Sequence, residues 1–213
     1  MPPVGSRLVR FSALCGMAAP FVFGFTVGIL GYLTPGYDPV SQLMSELGGN
    51  GAPFAPVMNL LGFAATGILM VLFASGLREG LGKGRAVTAG SLLVAGAGAA
   101  FIAMSFISCN RGCVPVTAAG GLHLLLGLLA MAMAIVSAFV FARALRGRAG
   151  WEGYWQYSLV TGALLVGTLP VFALAGDTAG LWQRVLVGIV LLWEEIMALR
   201  LFVLAGRPGA GGP

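Results

Sequence analysis

Charge is what this chain has least of. Asp, Glu, Lys and Arg make up 9% of its 213 residues, against about 25% in an ordinary soluble domain. A soluble protein covers its surface with such side chains, and here there are too few to do so. Histidine occurs once, at His123. A single imidazole cannot build a zinc centre, so the histidine-rich zinc hydrolases of membranes are excluded. No metal is expected, and no motif calls for a cofactor. The nucleophile-elbow pattern G-x-S-x-G is absent. So are a collagen-like glycine period, an internal repeat and the composition shift that would mark a second domain.

What is present is hydrocarbon. Hydrophobic residues make up 58% of the chain, and the mean hydropathy is +0.95. Lipid is the solvent for most of these side chains. In lipid every backbone N–H and C=O must be satisfied internally, which leaves helices or closed barrels. Barrel strands alternate in polarity. This chain instead has unbroken apolar runs of about 20 residues, the length of a membrane-crossing helix. They fall near 11–33, 56–76, 87–107, 120–142, 158–176 and 181–204. The expected fold is all-α, a polytopic bundle of six transmembrane helices forming a single transmembrane domain over 1–213.

The basic residues alternate with these runs. Arg7 and Arg10 precede the first; Arg78, Lys83 and Arg85 lie between the second and third; Arg143, Arg146 and Arg148 follow the fourth; Arg207 follows the last. The other set of loops holds Arg111, with Arg184 at the start of the sixth run. Excess Lys and Arg marks cytoplasmic loops. The chain is therefore expected in the cell membrane, the inner or plasma membrane, as a multi-pass protein with both termini cytoplasmic. The net charge of +5 is a topology signal, and nucleic acid is not an expected partner. The run from Phe11 to Leu33 is longer than a signal-peptide core and reads as a span. Ser12-Ala13-Leu14 before Cys15 is a poor lipoprotein cleavage site, so Cys15 reads as a buried thiol. Trp151, Tyr154, Trp155 and Tyr157 cluster where an interfacial aromatic belt belongs. Gly24 with Gly28 in the first run, and Gly90, Gly96 and Gly98 in the third, predict close helix packing.

The first outer loop is the most informative segment. Asp38-Pro39 reads as an N-cap followed by a first helical residue, and Gly48-Gly49 reads as a stop. Between them, over about 39–47, Val40, Leu43, Met44 and Leu47 share one helical face. Asp38, Ser41, Gln42, Ser45 and Glu46 fall opposite. A short interfacial amphipathic helix is expected. It either connects the first two spans and nothing more, or serves as a lid whose polar face closes a cavity.

Polar residues inside the spans need reasons. His123 lies about one turn from the outer end of the fourth run, on a face shared with Gly120, Gly127 and Ala134, so it should point into the bundle. It is either a buried hydrogen-bonding histidine or a functional one. Asn59, Asp177, Gln183 and Arg184 lie at the same depth and are ligand-binding candidates. His123, Asp38, Ser41, Ser45 and Glu46 are the catalytic candidates, since a Ser–His–Asp arrangement could be drawn from Ser41 or Ser45, His123, and Asp38 or Asp177. Glu194 and Glu195 sit just past the middle of the sixth run. Such carboxylates should be protonated, paired or facing water. They form either a structural ion pair, with Arg143 as the candidate partner, or a proton or cation site. Cys109-Asn110-Arg111-Gly112-Cys113 sits in the second outer loop, where a disulfide is allowed, and Cys109–Cys113 is the expected bond.

Gly31-Tyr32-Leu33 through Tyr37-Asp38-Pro39, then Ser41 and Ser45-Glu46-Leu47-Gly48, resemble the signature of a bacterial and archaeal membrane family, domain of unknown function 998. The Cys109 to Cys113-Val114-Pro115 loop with His123 behind it is similar to that family's second outer loop. So is Gly180-Leu181 with Gln183-Arg184, Trp193, Ala198 and Arg200-Leu201. The resemblance covers nearly the whole chain and implies a six-helix membrane topology.

The leading functional expectation is a polar pocket at the outer face that binds or moves a lipid-like or small amphiphilic ligand, with membrane lipid as the surrounding partner. Arg184 would suit an anionic head group. Two other classes stand beside it. One is a membrane-embedded enzyme acting on a lipid or isoprenoid, with His123 and a carboxylate as acid and base. The other is a structural or assembly partner.

Overall fold

The computed structural model describes residues 4–82 and 84–206. Lys83 and Arg207 lie outside the described residues. Apolar composition is expressed as helix throughout, with no strand among the described residues. Helix α1 runs Val4–Leu33, α2 Ala55–Leu81, α3 Arg85–Phe106, α4 Ala118–Ala144, α5 Tyr154–Ala173 and α6 Ala179–Ala205. Helices α1 to α5 are long and apolar enough to cross a membrane, which makes the chain a multi-pass membrane protein. Helix α6 has the same 27 residues as α4. Its composition sets it apart, because Arg184, Glu194, Glu195 and Arg200 place at least three charges in any 18-residue stretch of it.

The helices pack in the order of the sequence, each against its neighbours, and α6 returns to pack on α1. The result is a ring. Where two helices touch most closely, glycines make room. A side chain on Gly67 of α2 would meet the carbonyl of Gly98 in α3, and one on Gly90 would meet the Phe141 ring. Gly96 similarly faces Met133. Gly24 and Gly28 behave otherwise. Both are exposed and face open space, because α1 turns Ala19, Phe23, Val27 and Leu30 inward instead. The expected close packing at that pair does not occur within this chain.

The two ends of the ring differ. One end gathers Gly82 and Gly84, the segment 145–153, the start of α1 and the last turn of α6. Here Arg148 donates to the Leu81 carbonyl, Arg200 Nε donates to the Gly150 carbonyl at 2.6 Å, and the Arg10 guanidinium sits 4.5 Å from the Phe202 ring centre. We call it the basic end. Beside it lies the largest packed cluster, including Phe73, Leu77, Phe141, Trp193, Met197 and Leu201. Trp151 belongs to this cluster and is buried, so it is a core residue and not part of a surface belt. Tyr154, Trp155 and Tyr157 are partly buried against the same cluster. The opposite end gathers the loops 34–54, 107–117 and 174–178, and we call it the loop end.

The amphipathic helix expected over about 39–47 is replaced by turns and a five-residue 3-10 helix, Met44–Gly48. The apolar side of the pattern holds in part: Met44 and Leu47 are buried, whereas Val40 is 44% exposed. The polar side chains set where the helical turn begins. Gln42 Oε1 accepts from the Asp38 N–H at 2.8 Å, and Glu46 Oε1 accepts from the Leu43 N–H at 2.8 Å. Glu46 thereby caps the 3-10 helix from its third position, which starts it at Met44.

A candidate ligand chamber beneath a strapped loop

The loop 34–54 is held down by the start of α6. Arg184 donates to the carbonyls of Gln42 at 3.0 Å and Gly180 at 2.8 Å, and to the Tyr37 hydroxyl. That hydroxyl donates in turn to the Leu43 carbonyl at 3.1 Å. Burial beside this cluster raises the Tyr37 phenol above its ordinary range, although Arg184 opposes the shift. Gln183 Oε1 accepts the Met44 N–H at 2.7 Å, and the Leu181 N–H reaches the Val40 carbonyl at 2.8 Å. Gly180 must be glycine, because a side chain there would run into the Gln42 backbone. One helix start thus satisfies the Val40 and Gln42 carbonyls and the Met44 N–H of the loop.

Asp38 and Ser41 form a separate exposed turn. The carboxylate accepts from the Ser41 hydroxyl at 2.6 Å and from the Val40 N–H at 3.0 Å. The Ser41 hydroxyl, then the Val40 N–H, hold this carboxyl below the usual range. Glu46 is engaged with Leu43 and with Gln42 Nε2. Asp177 is exposed and has no polar partner among the described residues. Asn59 donates to Ser108 Oγ at 3.2 Å, while its Oδ1 is buried and unpartnered. Cys109 and Cys113 form the disulfide, and the Cys109 carbonyl receives the Asn50 N–H at 2.9 Å. Cys15 is a buried free thiol.

Beneath the strapped loop lies a cavity of about 190 Å³. All six helices contribute to its wall, and Leu43, Met44 and Ser45 contribute from the loop. The cause lies in α4. Gly127, Ala130 and Ala134 line it, and these small side chains fill little of the space between α4 and α6. The face read from the sequence as a packing face is here a chamber wall. Most of the lining is apolar, including Phe23, Phe63, Phe101 and Met104. Ser45, His123 and Gln183 are the sequence candidates that line it; Asp38, Ser41, Glu46, Asn59, Asp177 and Arg184 do not.

His123 is 5% exposed. Its Nδ1 lies 2.6 Å from the Ile107 carbonyl, its ring meets Phe63 edge-on at 5.8 Å, and its Nε2 is buried with no hydrogen-bond partner among the described residues. A backbone carbonyl, and not a carboxylate, orients this imidazole. The Ser–His–Asp arrangement therefore lacks its third member here, since Asp38 is engaged with Ser41 in the exposed turn.

A family model described as Protein of unknown function (DUF998) matches residues 17–200. The chain belongs to the DUF998 family. No curated protein and no solved structure matches it. Every candidate residue above falls within the stretch that carries the DUF998 match, Glu194 and Glu195 included.

Those two carboxyls lie below the chamber. Glu194 is 1% exposed, one turn beyond Val190 and Leu191 of the chamber wall. Glu194 Oε1 and Glu195 Oε2 are both buried without a partner among the described residues. The ion pair expected with Arg143 is not formed, because Arg143 is exposed at the end of α4. Arg200 is turned to Gly150 and Tyr154.

The candidate site also uses residues that were not among the sequence's site candidates. Tyr37 and Gln42 carry the strap, and Phe63 carries the wall against His123. Phe63 comes from a wide π-helical turn, Met58–Ala65, in which the Thr66 hydroxyl reaches back to the Leu61 carbonyl at 3.3 Å. Such turns recur at functional sites. The available signal for Tyr37 was Arg184 itself, a cation near lipid that must find acceptors.

Proposed function

We propose that this protein is a six-span membrane protein whose loop end faces outward and whose chamber binds, and in binding can move, a lipid-like or small amphiphilic ligand. The observation that carries the reading is the chamber beneath the strapped loop, apolar on most of its wall and bordered by a buried imidazole with an uncommitted nitrogen. Pockets for amphiphiles have this character, an apolar lining with a few placed polar groups. An apolar cavity of comparable size, roughly 150 Å³, accepts apolar guests.

The orientation rests on charge. Arg7, Arg10, Arg78, Arg85, Arg143, Arg146 and Arg148 all belong to the basic end or its adjoining helix turns, whereas the loop end holds Asp38, Glu46 and Asp177 against Arg111 and Arg184. The positive-inside rule then places the basic end and both termini in the cytoplasm of the cell membrane. Helix α6 counts as the sixth span because it closes the ring against α1 and α5.

Filling the chamber tests the reading. A side chain at Gly127 enters open space apart from Met104 at ordinary contact distance. Gly127→Leu and Ala134→Leu should leave the bundle folded and strip a co-purifying amphiphile from the protein, as read by mass spectrometry of extracted lipid. An identical lipid complement in wild type and both variants would overturn the proposal.

A further inference from the structure

We infer that the chamber's ligand is an uncharged amphiphile headed by a hydroxyl, which donates its proton to His123 Nε2. The inference rests on the binding reading above and specifies its chemistry. Three observations lead to it.

The tautomer comes first. A carbonyl oxygen can only accept, so the 2.6 Å contact between His123 Nδ1 and the Ile107 carbonyl places a hydrogen on Nδ1. In a neutral imidazole Nε2 is then a bare lone pair, an acceptor. It is buried with no donor among the described residues, in a residue that lines the chamber. A buried acceptor left unpaired is unfavourable, and a ligand donor relieves that.

Charge comes second. An anionic head needs a cation, and the chamber wall has none. Arg184 is committed to Gln42, Gly180 and Tyr37 and lies outside the wall. Arg111 is exposed in the disulfide loop. The anionic head group expected at Arg184 therefore has no counter-charge among the described residues that line the chamber.

Complementarity comes third. Ser45 also lines the chamber. Its Oγ accepts weakly from Gln183 Nε2 at 3.5 Å, and its own proton has no acceptor among the described residues. A hydroxyl head is both donor and acceptor, and so matches one free acceptor and one free donor in the wall. A hydrocarbon offers neither, and a phosphate monoester offers no donor once doubly ionised. The chamber volume is that of roughly six liquid waters, enough for a head and its first few carbons, with the rest of a longer tail left among the helices or in lipid.

The test uses three probes of one chain length, dodecanol, dodecane and dodecyl phosphate. Each is titrated into the full chain in phosphatidylcholine nanodiscs, and its apparent affinity is read from the unfolding midpoint. Dodecanol should bind about fivefold more tightly than dodecane, the value of one neutral hydrogen bond, and more tightly than dodecyl phosphate. His123→Asn is the decisive variant, because the Asn amide nitrogen can replace Nδ1 at the Ile107 carbonyl while Nε2 is lost. It should bring dodecanol down to dodecane and leave dodecane unchanged. If dodecyl phosphate binds best, or if the dodecanol preference survives His123→Asn, the hydroxyl assignment is wrong and the chamber stands. If no probe distinguishes wild type from Gly127→Leu, the chamber reading fails with it.

Discussion

The two halves of this bundle are held together by different means. Near the basic end, Phe73, Phe141, Trp193, Met197 and Leu201 fill the space between helices, and the arginines reach outward to backbone carbonyls and aromatic rings. Near the loop end the interior is partly empty, and order comes from hydrogen bonds between a loop and a helix start. In lipid the hydrophobic effect does little to drive helices together, so packing and polar contacts must do it. The half that packs well needs few polar contacts. The half that leaves room for a guest replaces the missing packing with a strap.

The largest expected effect comes from cutting that strap. Arg184→Ala removes a charged donor from two carbonyls and a phenol, a loss of about 3 kcal/mol at the upper end for one charged hydrogen-bonding group. Unfolding in detergent should report it, and limited proteolysis should show new cleavage confined to 37–49. Cleavage spread over both ends would erase the distinction between the halves. Next comes a void in the packed half. Lipid is as apolar as the core, so the void term dominates, roughly 24 cal/mol per Å³ of residual space, and Phe141→Ala should cost about 2 kcal/mol. Ligand retention should be unaffected, because Phe141 does not line the chamber. The smallest effect is expected at Glu194→Gln, which keeps shape and removes a group with no counter-charge among the described residues. Its thermal midpoint should fall by no more than about 0.5 kcal/mol equivalent or should rise. A drop the size of Phe141→Ala would mean that Glu194 has a charged partner.

Much of the framework was legible because lipid enforces it. Apolar runs of one length become helices whatever their neighbours do, and α1 to α5 do so. The Cys109–Cys113 bond and the burial of Cys15 and His123 followed from local spacing and helical faces. The strap was not legible for a definite reason. Arg184 and Gln42 are 142 residues apart, and the acceptors are main-chain carbonyls, which leave no mark on the sequence. The turn 38–48 shows a subtler failure. Its apolar period buried Met44 and Leu47 as read, but Glu46 caps the Leu43 N–H, so the helical turn begins at Met44 and not after Asp38. The chamber lies between these cases. The small-residue face of α4 was visible, yet the same composition at Gly67 and Gly98 brings two backbones together. Which outcome occurs depends on what stands opposite, and that is a property of the folded ring.

The return of α6 to α1 has a consequence for the making of the protein. The loop 34–54 leaves the ribosome early, while its hydrogen-bond partners on α6 are synthesised last. Until α6 enters, the Val40 and Gln42 carbonyls and the Met44 N–H have no partner from α6, and the ring is open along α1. Closing the ring and strapping the middle of the loop therefore wait on the same helix, the most charged of the set. A chain shortened before Ala179 would not be a smaller version of this protein. It would be an open bundle with an unsealed chamber, recognisable as unfinished by any surveillance that reads unpaired backbone and exposed polar side chains within a membrane.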